Sequence, residues 1–384
     1  MRTIYFDYNA TTPLDPAVRE AMLPYLGEVF GNPSSVHRVG RRARALLDEA
    51  RDRVARVWDC KPSEVVFTSG GTESSNLAIF GTARLLKGKG RHIVTSAIEH
   101  HAVLHPCQYL ANKEGFEVTY LPVDAEGVVS VDAVKAALRP DTILLSIMAA
   151  NNETGTIQPV AELGAICRER GVVFHTDAVQ WFGKEPFANI HQFNADLVSV
   201  CAHKYHGPKG AGALFIRSPL HPDPVIFGGG HENERRAGTE NLAGIVGFAE
   251  ATERFVKTPV FPKKHLLAVT ERLITLADEL ADRGVAFRGA RGQRLANTVS
   301  LTVKGSDSIS ILAALDLEGI CASSGSACSA GSLEPSHVML ALGVERDSAS
   351  ALVRFSLGRE STLEEAEQVA RVLPDIVHRV QRFQ

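Results

Sequence analysis

"TILLSIMAANNETGTIQPVAELGAICRERGVVFHTDAVQ", residues 142–180, is the stretch that decides the fold. Two apolar runs, TILLSIM and GVVFHT, flank a segment that reads as a helix around 160–169. Both runs are apolar enough to be central strands, and each ends in polar residues, AANNETG after the first and DAVQ after the second. Strand, helix and strand in that rhythm predict a mainly parallel sheet covered by helices.

The rhythm continues outward in both directions. EVVFTS (64–69) precedes the helix-like ESSNLAIFGTARLLK, and RHIVTSA (91–97) precedes HHAVLHPCQYLANKEG. FEVTYLPV (116–123) and a helix near 131–138 lead into the opening stretch, while ADLVSVCA (195–202) and GALFIRS (212–218) follow it. In open α/β sheets ligands collect beyond the carboxyl ends of the strands. Five polar clusters fall there: TSGGTE, SAIEHH, AANNETG, HTDAVQ and AHKYHGPKG. Packing alone does not call for such a convergence.

Past FGGGHENERRAGTEN (227–241) and a helix to about 257, VKTPVFPKK (256–264) reads as a linker. A second unit then opens with the helix HLLAVTERLITLADELADRG. It continues through NTVSLTV, SISILAALDLEGI, a loop of small residues at about 322–335, SALVRFSLG and a last helix from about 362. The expected organisation is a large α/β domain over 16–257. A smaller α+β C-terminal domain would take in 258–384 and the first fifteen residues.

The 384 residues are 45% hydrophobic and 22% charged, a globular balance, and the net charge of −3 offers no field for nucleic acid. The basic run RVGRRARALLDEARDR is offset by Asp48, Glu49 and Asp52 and reads as the solvated face of a helix. No apolar run approaches the roughly 18–20 residues of a membrane span, and the first residues lack a secretory h-region. Six scattered cysteines without a CxxC pair fit reduced thiols, and a cytoplasmic location is expected.

Lys204, in AHKYHGPKG, sits on a shaped turn after a strand, where a surface lysine would be the ordinary reading. Asp177 changes that reading, because a carboxylate at the end of a buried strand needs a positive partner. A protonated pyridine nitrogen is one such partner, and Asp with Lys is the pairing that pyridoxal phosphate needs, the Lys for a Schiff base and the Asp for the ring nitrogen. TSGGTESSN places Gly70, Gly71, Thr72 and Ser74 where a strand gives way to a helix, a place for a phosphate. It matches neither a Walker A loop nor a GxGxxG fingerprint. His101 and His105 share helical spacing, but no carboxylate or thiol joins them at a matching spacing, so no metal is expected.

Taken together, DYNATTP, GNPSSVH, FTSGGTESSNLAI, NNETG, DAVQ, AHKYHGPKG, GGGHENERRAGTEN, SSGSACSAG and RFSLGR resemble the cysteine desulfurases of the NifS/IscS-like group. These belong to the class-V aminotransferases, with the fold type I architecture of pyridoxal phosphate enzymes. The resemblance implies conversion of L-cysteine to L-alanine, with the sulfur passing to Cys328 as a persulfide and then to an acceptor protein or a tRNA-modification enzyme. It implies that Lys204 carries the cofactor, Asp177 meets the ring nitrogen and His100 stacks on the ring and shuttles protons. Asn152 and Gln180 would contact the phenolic oxygen, and Gly71, Thr72 and His203 the phosphate. Thr239 would reach the phosphate of the partner subunit in a homodimer, and Arg354 would hold the substrate carboxylate, with Asn152 beside it. Cys201 stands where the family carries a phosphate-binding Ser, a poorer donor.

The SSGSAC form resembles the group with the longer catalytic loop, and small residues around Cys328 suit a thiol that delivers sulfur. The chain's last residues, RVLPDIVHRVQRFQ, show no extension of the kind with which IscS-type members dock a scaffold, which argues against assigning one. Selenocysteine lyase and cysteine C–S lyase are sibling chemistries, but simple elimination needs no protein thiol. An idle sulfur-relay or scaffold protein would not need Lys204, Asp177, His100, Arg354 and Cys328 together.

Overall fold

The computed structural model describes residues 3–325 and 334–381. In chain order its strands are β1 (Ile4–Tyr5), β2 (Val65–Thr68), β3 (His92–Ser96), β4 (Glu117–Leu121), β5 (Thr142–Ser146) and β6 (Val173–Asp177). There follow β7 (Leu197–Cys201), β8 (Gly212–Ile216), β9 (Val285–Arg288), β10 (Thr298–Val303), β11 (Ile320–Cys321) and β12 (Leu352–Ser356). Seven of them form one sheet in the order β2-β8-β7-β6-β5-β3-β4.

Within that sheet β4, β3, β5, β6 and β7 run parallel. β8 lies antiparallel to both β7 and β2, so β2 at the edge points the same way as the parallel set. The carboxyl ends of β2, β3, β5, β6 and β7 therefore share one edge. All five residues of β5 and of β7 are buried, as strands covered on both faces should be. The sheet is the mainly parallel, helix-covered α/β layer that the sequence predicts.

The helix Arg38–Trp58 shows how the covering works. Gly40, Ala43, Leu47, Ala50 and Val54 recur at three- and four-residue spacing and are buried, while the His37 side chain accepts from Gly40 N to cap the first turn. Its basic face is only partly solvated. Arg51 pairs with buried Glu232 at 2.6 Å, and Arg53 with Glu250 and Glu253 at 2.5 and 2.6 Å. The charge count along the run cannot anticipate carboxylates almost two hundred residues away.

A three-stranded antiparallel sheet, β12-β10-β9, and the parallel pair β1–β11 make up the remaining strands. Ile4 and Phe6 are buried in one apolar cluster with residues of the helices Lys263–Glu279 and Leu363–Gln381 and of β10 and β12. Residues 256–264, read as a linker, are not free: Val256 is fully buried and Phe261 is 2% exposed. β9 falls outside every run singled out in the sequence, since VAFR is short and three of its residues are half-exposed. No helix among the described residues is long and apolar enough to cross a membrane.

Leu47, 1% exposed, anchors the helix Arg38–Trp58 in the large apolar cluster. Leu47→Ala should lower the unfolding free energy by about 2–5 kcal/mol, the range for emptying a packed leucine site. A urea titration checks this, and an unchanged midpoint would contradict the packing described.

Candidate active site

The loops after β2, β3, β5, β6 and β7 build one cavity of about 210 Å³. Gly71, Thr72, His100, Asn152, Asp177, Gln180, Cys201, His203 and Lys204 line it, joined by Arg354 from β12 and by Asn9 and Ala10 from the N-terminal segment. Two wider hollows, of about 430 and 540 Å³, lie elsewhere and contain none of these residues.

Lys204 ends the short turn Ala202–Lys204 that follows β7. Its Nζ donates to the carbonyl oxygens of Asn9 and Ala10, at 2.5 and 2.8 Å. Burial pushes its pKa down from the usual lysine value, so the neutral amine becomes more accessible. Asp177 closes β6, and its Oδ1 accepts from Val179 N at 3.0 Å. Burial pushes this carboxyl up to about 6, with the Val179 N–H and the Lys204 charge offsetting only part of the effect.

His100 precedes the helix His101–Lys113 and caps it, its Nδ1 accepting from Ala102 N at 3.1 Å. An accepting Nδ1 places the proton of the neutral ring on Nε2. Burial, helped by the Lys204 charge, holds His100 down at about 4. His203 is likewise held at about 4 by burial and by Lys204, and its Nδ1 lies 3.2 Å from Thr11 Oγ1. Burial lifts the Cys201 thiol to about 11, leaving it a neutral group in the cavity wall.

Gly71 opens a helix that runs on through a π turn to Leu86. A Cβ at Gly71 would sit 2.6 Å from Val179 Cγ2, so only glycine leaves this corner of the cavity open. Arg354 is 1% exposed, which rules out a surface ion pair. Its Nη2 meets Asp7 Oδ1 at 2.9 Å and its Nη1 donates to the carbonyl oxygen of Asn152 at 3.0 Å, while Nε has no hydrogen-bond partner among the described residues.

A lysine, a buried carboxylate, a capped histidine and a buried arginine thus converge on one cavity beside a glycine corner. A family model for aminotransferase class-V matches residues 4–369. Cysteine desulfurase IscS of Dictyoglomus turgidum is 49% identical over 381 residues, 99% of this chain and 95% of that protein. The chain belongs to the cysteine desulfurase group of the class-V aminotransferases. Cysteine desulfurase IscS of Methanosarcina thermophila is 47% identical, across 100% of this chain and 94% of that one. Among solved structures, a NifS-like protein matches with a TM-score of 0.88 at 37% identity, covering 98% of this chain and 99% of that chain. SspA in complex with cysteine matches with a TM-score of 0.81 at 36% identity, covering 93% and 99%. The chain is accordingly an enzyme of the cysteine desulfurase group.

One residue predicted for the desulfurase site stands apart from this cavity. Thr239 is exposed and lines a separate hollow with Thr68, Arg236 and Glu240. Cys328 lies outside the described residues. The flanks of its segment are described, and both meet Glu153. Ser336 Oγ donates to Glu153 Oε2 at 2.5 Å, and a Cβ at Gly325 would lie 2.8 Å from the same carboxylate. Ser323 also exchanges backbone hydrogen bonds with Arg354, at 3.1 and 2.6 Å. Cys60, Cys107, Cys167, Cys201 and Cys321 are unpaired, and burial lifts the first three to about 12, which suits inert thiols. No group of three or more potential metal ligands occurs among the described residues.

Residue-by-residue reading of the sequence assigns no role to three polar groups here. Asn9 sits inside DYNATTP, yet nothing in that motif singles out its side chain. Lys184 is 3% exposed, and Glu99 is fully buried with its carboxyl lifted to about 8 by that burial. A lone Lys or Glu in a sequence reads as surface by default, and only burial distinguishes these two.

The His100 shift has a definite sign. The unfolded ring titrates near 6.5, so as pH falls from there toward 4 the unfolded chain takes a proton that the folded site refuses, and stability is lost. His100→Asn keeps a capping side chain without this titration. The wild type's advantage over it should shrink by roughly 2–3 kcal/mol between pH 7 and pH 4.5. Urea titrations at both values measure this, and a constant difference would contradict a buried neutral His100.

Proposed function

We propose that the enzyme uses pyridoxal phosphate to convert L-cysteine to L-alanine, passing the sulfur to Cys328. The observation that carries this reading is the meeting of Lys204, Asp177 and Arg354 in one buried cavity. The chemistry of the cavity fits the cofactor. Asp177 is a buried carboxyl lifted by desolvation, the environment in which a protonated ring nitrogen would stabilise its anion. Gly71 leaves room at the start of a helix, where backbone N–H groups favour a phosphate, with Thr72 and His203 as neighbouring donors. Bound there, pyridoxal phosphate would serve as the sink for the electron pair released when the Cα–H bond of cysteine breaks.

The chain's own groups divide the remaining work. Lys204 holds the cofactor and then moves the Cα proton, a task eased by burial that disfavours its charged form. Asp177 would pair with the ring nitrogen, His100 would stack on the ring, and Asn152 and Gln180 would contact the phenolic oxygen. Cys201 takes the phosphate-side position where a hydroxyl would be a better donor. Arg354 binds the substrate carboxylate, its guanidinium already held rigid by Asp7 and by the Asn152 carbonyl. The cysteine-bound structural neighbour supports cysteine as the substrate.

The Cys328 thiolate attacks the sulfur of the substrate, forming an S–S bond as the C–S bond breaks, and alanine leaves after the carbon takes a proton. His100, whose Nδ1 accepts from Ala102, would give that proton from Nε2–H. The persulfide then transfers to an acceptor protein.

The same reading includes a homodimer, with Thr239 serving the partner's phosphate site. Leu26, Phe30, Val36 and Phe227 are 69%, 80%, 86% and 78% exposed, an apolar surface that a second copy would cover. The hydrogen bond of Ser34 Oγ with His231 Nε2, at 3.3 Å, holds two of these segments side by side.

The test is alanine and sulfide released from L-cysteine with a reductant, by the wild type and by Cys328→Ser. The wild type should form both, and the variant should stay yellow and lose at least about a hundredfold in rate, as loss of a covalent nucleophile implies. A variant equal to the wild type would replace the persulfide route with C–S elimination.

A further inference from the structure

Lys184 lies seven residues past the end of β6, 3% exposed, behind the cavity wall and absent from its lining. Its Nζ donates to Asn9 Oδ1 at 2.6 Å and to Gln180 Oε1, and it stands 5.4 Å over the ring of Phe261. A lysine offers N–H donors to both amides, so each of them must turn its oxygen toward Nζ.

The consequence for the two amides is directional. Asn9 Oδ1 also takes the Asn297 amide at 3.0 Å, which leaves Asn9 Nδ2 to donate to the Asn152 carbonyl at 3.2 Å and to Thr298 Oγ1 at 2.9 Å. Gln180 Nε2 is turned the other way, donating to the Asn9 carbonyl at 3.1 Å from the cavity wall. That same carbonyl receives Lys204 Nζ. A flipped Gln180 would set its oxygen against the Asn9 carbonyl and present an acceptor where the site now has a donor.

We propose that Lys184 is a positioning residue: by holding the oxygens of Asn9 and Gln180 it keeps the second N–H of Gln180 Nε2 turned to the cavity, where the phenolic oxygen of the cofactor would be held. This rests on the cofactor reading above. Burial and the charges of Lys204 and Arg354 push the Lys184 pKa well down, and the amine keeps two N–H groups in either protonation state. Lys184 therefore works by orientation and does not depend on its charge.

The test uses the visible absorbance of the cofactor-loaded protein against pH, in the wild type, Lys184→Met, Gln180→Ala and the double variant. A donor at the phenolic oxygen favours its unprotonated form, so losing the oriented donor raises the midpoint of the absorbance change. Lys184→Met should raise it by about one pH unit, the scale of one hydrogen bond. It should add no shift in the Gln180→Ala background, and Lys184→Gln, which brings an amide donor, should restore part of the difference. An unchanged midpoint in Lys184→Met, or an equal shift with and without Gln180, would overturn the proposal. Lys184→Ala, checked by circular dichroism, takes the same place if the Met variant does not fold. A wild type that takes up no cofactor overturns the cofactor reading and this role with it, whereas a yellow wild type with an unshifted variant overturns this role alone.

Discussion

An ammonium group can be buried only where carbonyl or carboxylate oxygens replace the water it loses, and at Lys204 the beginning of the chain supplies them. The carbonyls of Asn9 and Ala10 hold Nζ. For them to be there, residues 9–15 must cross from β12 to the turn that carries the lysine. They are fastened at both ends: Asn9 N donates to Ser356 Oγ at 2.9 Å, and Thr12 N and Asp15 N donate to the carbonyls of His203 and His206, both at 3.0 Å. The strap brings Asp7 to Arg354 as well. One constraint, the satisfaction of a buried lysine, therefore joins the end of the parallel sheet to the strand that carries the arginine.

The cavity is a place where burial outweighs pairing. Lys204, His100 and His203 are pushed toward their neutral forms and Asp177 toward protonation, all chiefly by desolvation. Such an arrangement leaves charged forms to be stabilised by what binds, and electrostatic contacts made there are strong because little water screens them. Arg354 differs, since Asp7 already balances it, and the guanidinium is held in place before any carboxylate arrives. The two flanks of the segment that carries Cys328 are tied to the same elements, one through Ser323 on Arg354 and the other through His337 Nε2, 2.9 Å from the Glu99 carbonyl oxygen.

Much of this is legible in the sequence, for reasons that can be named. All seven strands of the main sheet coincide with runs read from the sequence; β5 and β7 stand out because strands buried on both faces cannot hide their composition, whereas β4, at the edge, has a single buried residue. The five polar clusters lie at one edge because parallel strands place every carboxyl end there, and Lys204, Asp177, His100 and Arg354 follow from them or from the resemblance. Direction was less legible: nothing in GALFIRS marks β8 as antiparallel, since an apolar pentapeptide reads the same either way. Long-range satisfaction was not legible at all. Asn9 owes its role to partners more than a hundred residues away, Lys184 among them, and the partners of Arg51 and Arg53 are equally remote.

Two buried lysines lie close to the proposed ring site, and the account assigns them opposite tasks: Lys204 lines the cavity and bonds the cofactor, whereas Lys184 stands behind the wall and orients amides. Borohydride reduction of the cofactor-loaded protein, followed by proteolysis and mass spectrometry, separates the two directly. The account predicts a pyridoxyl group on the peptide containing Lys204 and an unmodified Lys184. A label on Lys184, or no label on either lysine in a protein that has bound the cofactor, would contradict it.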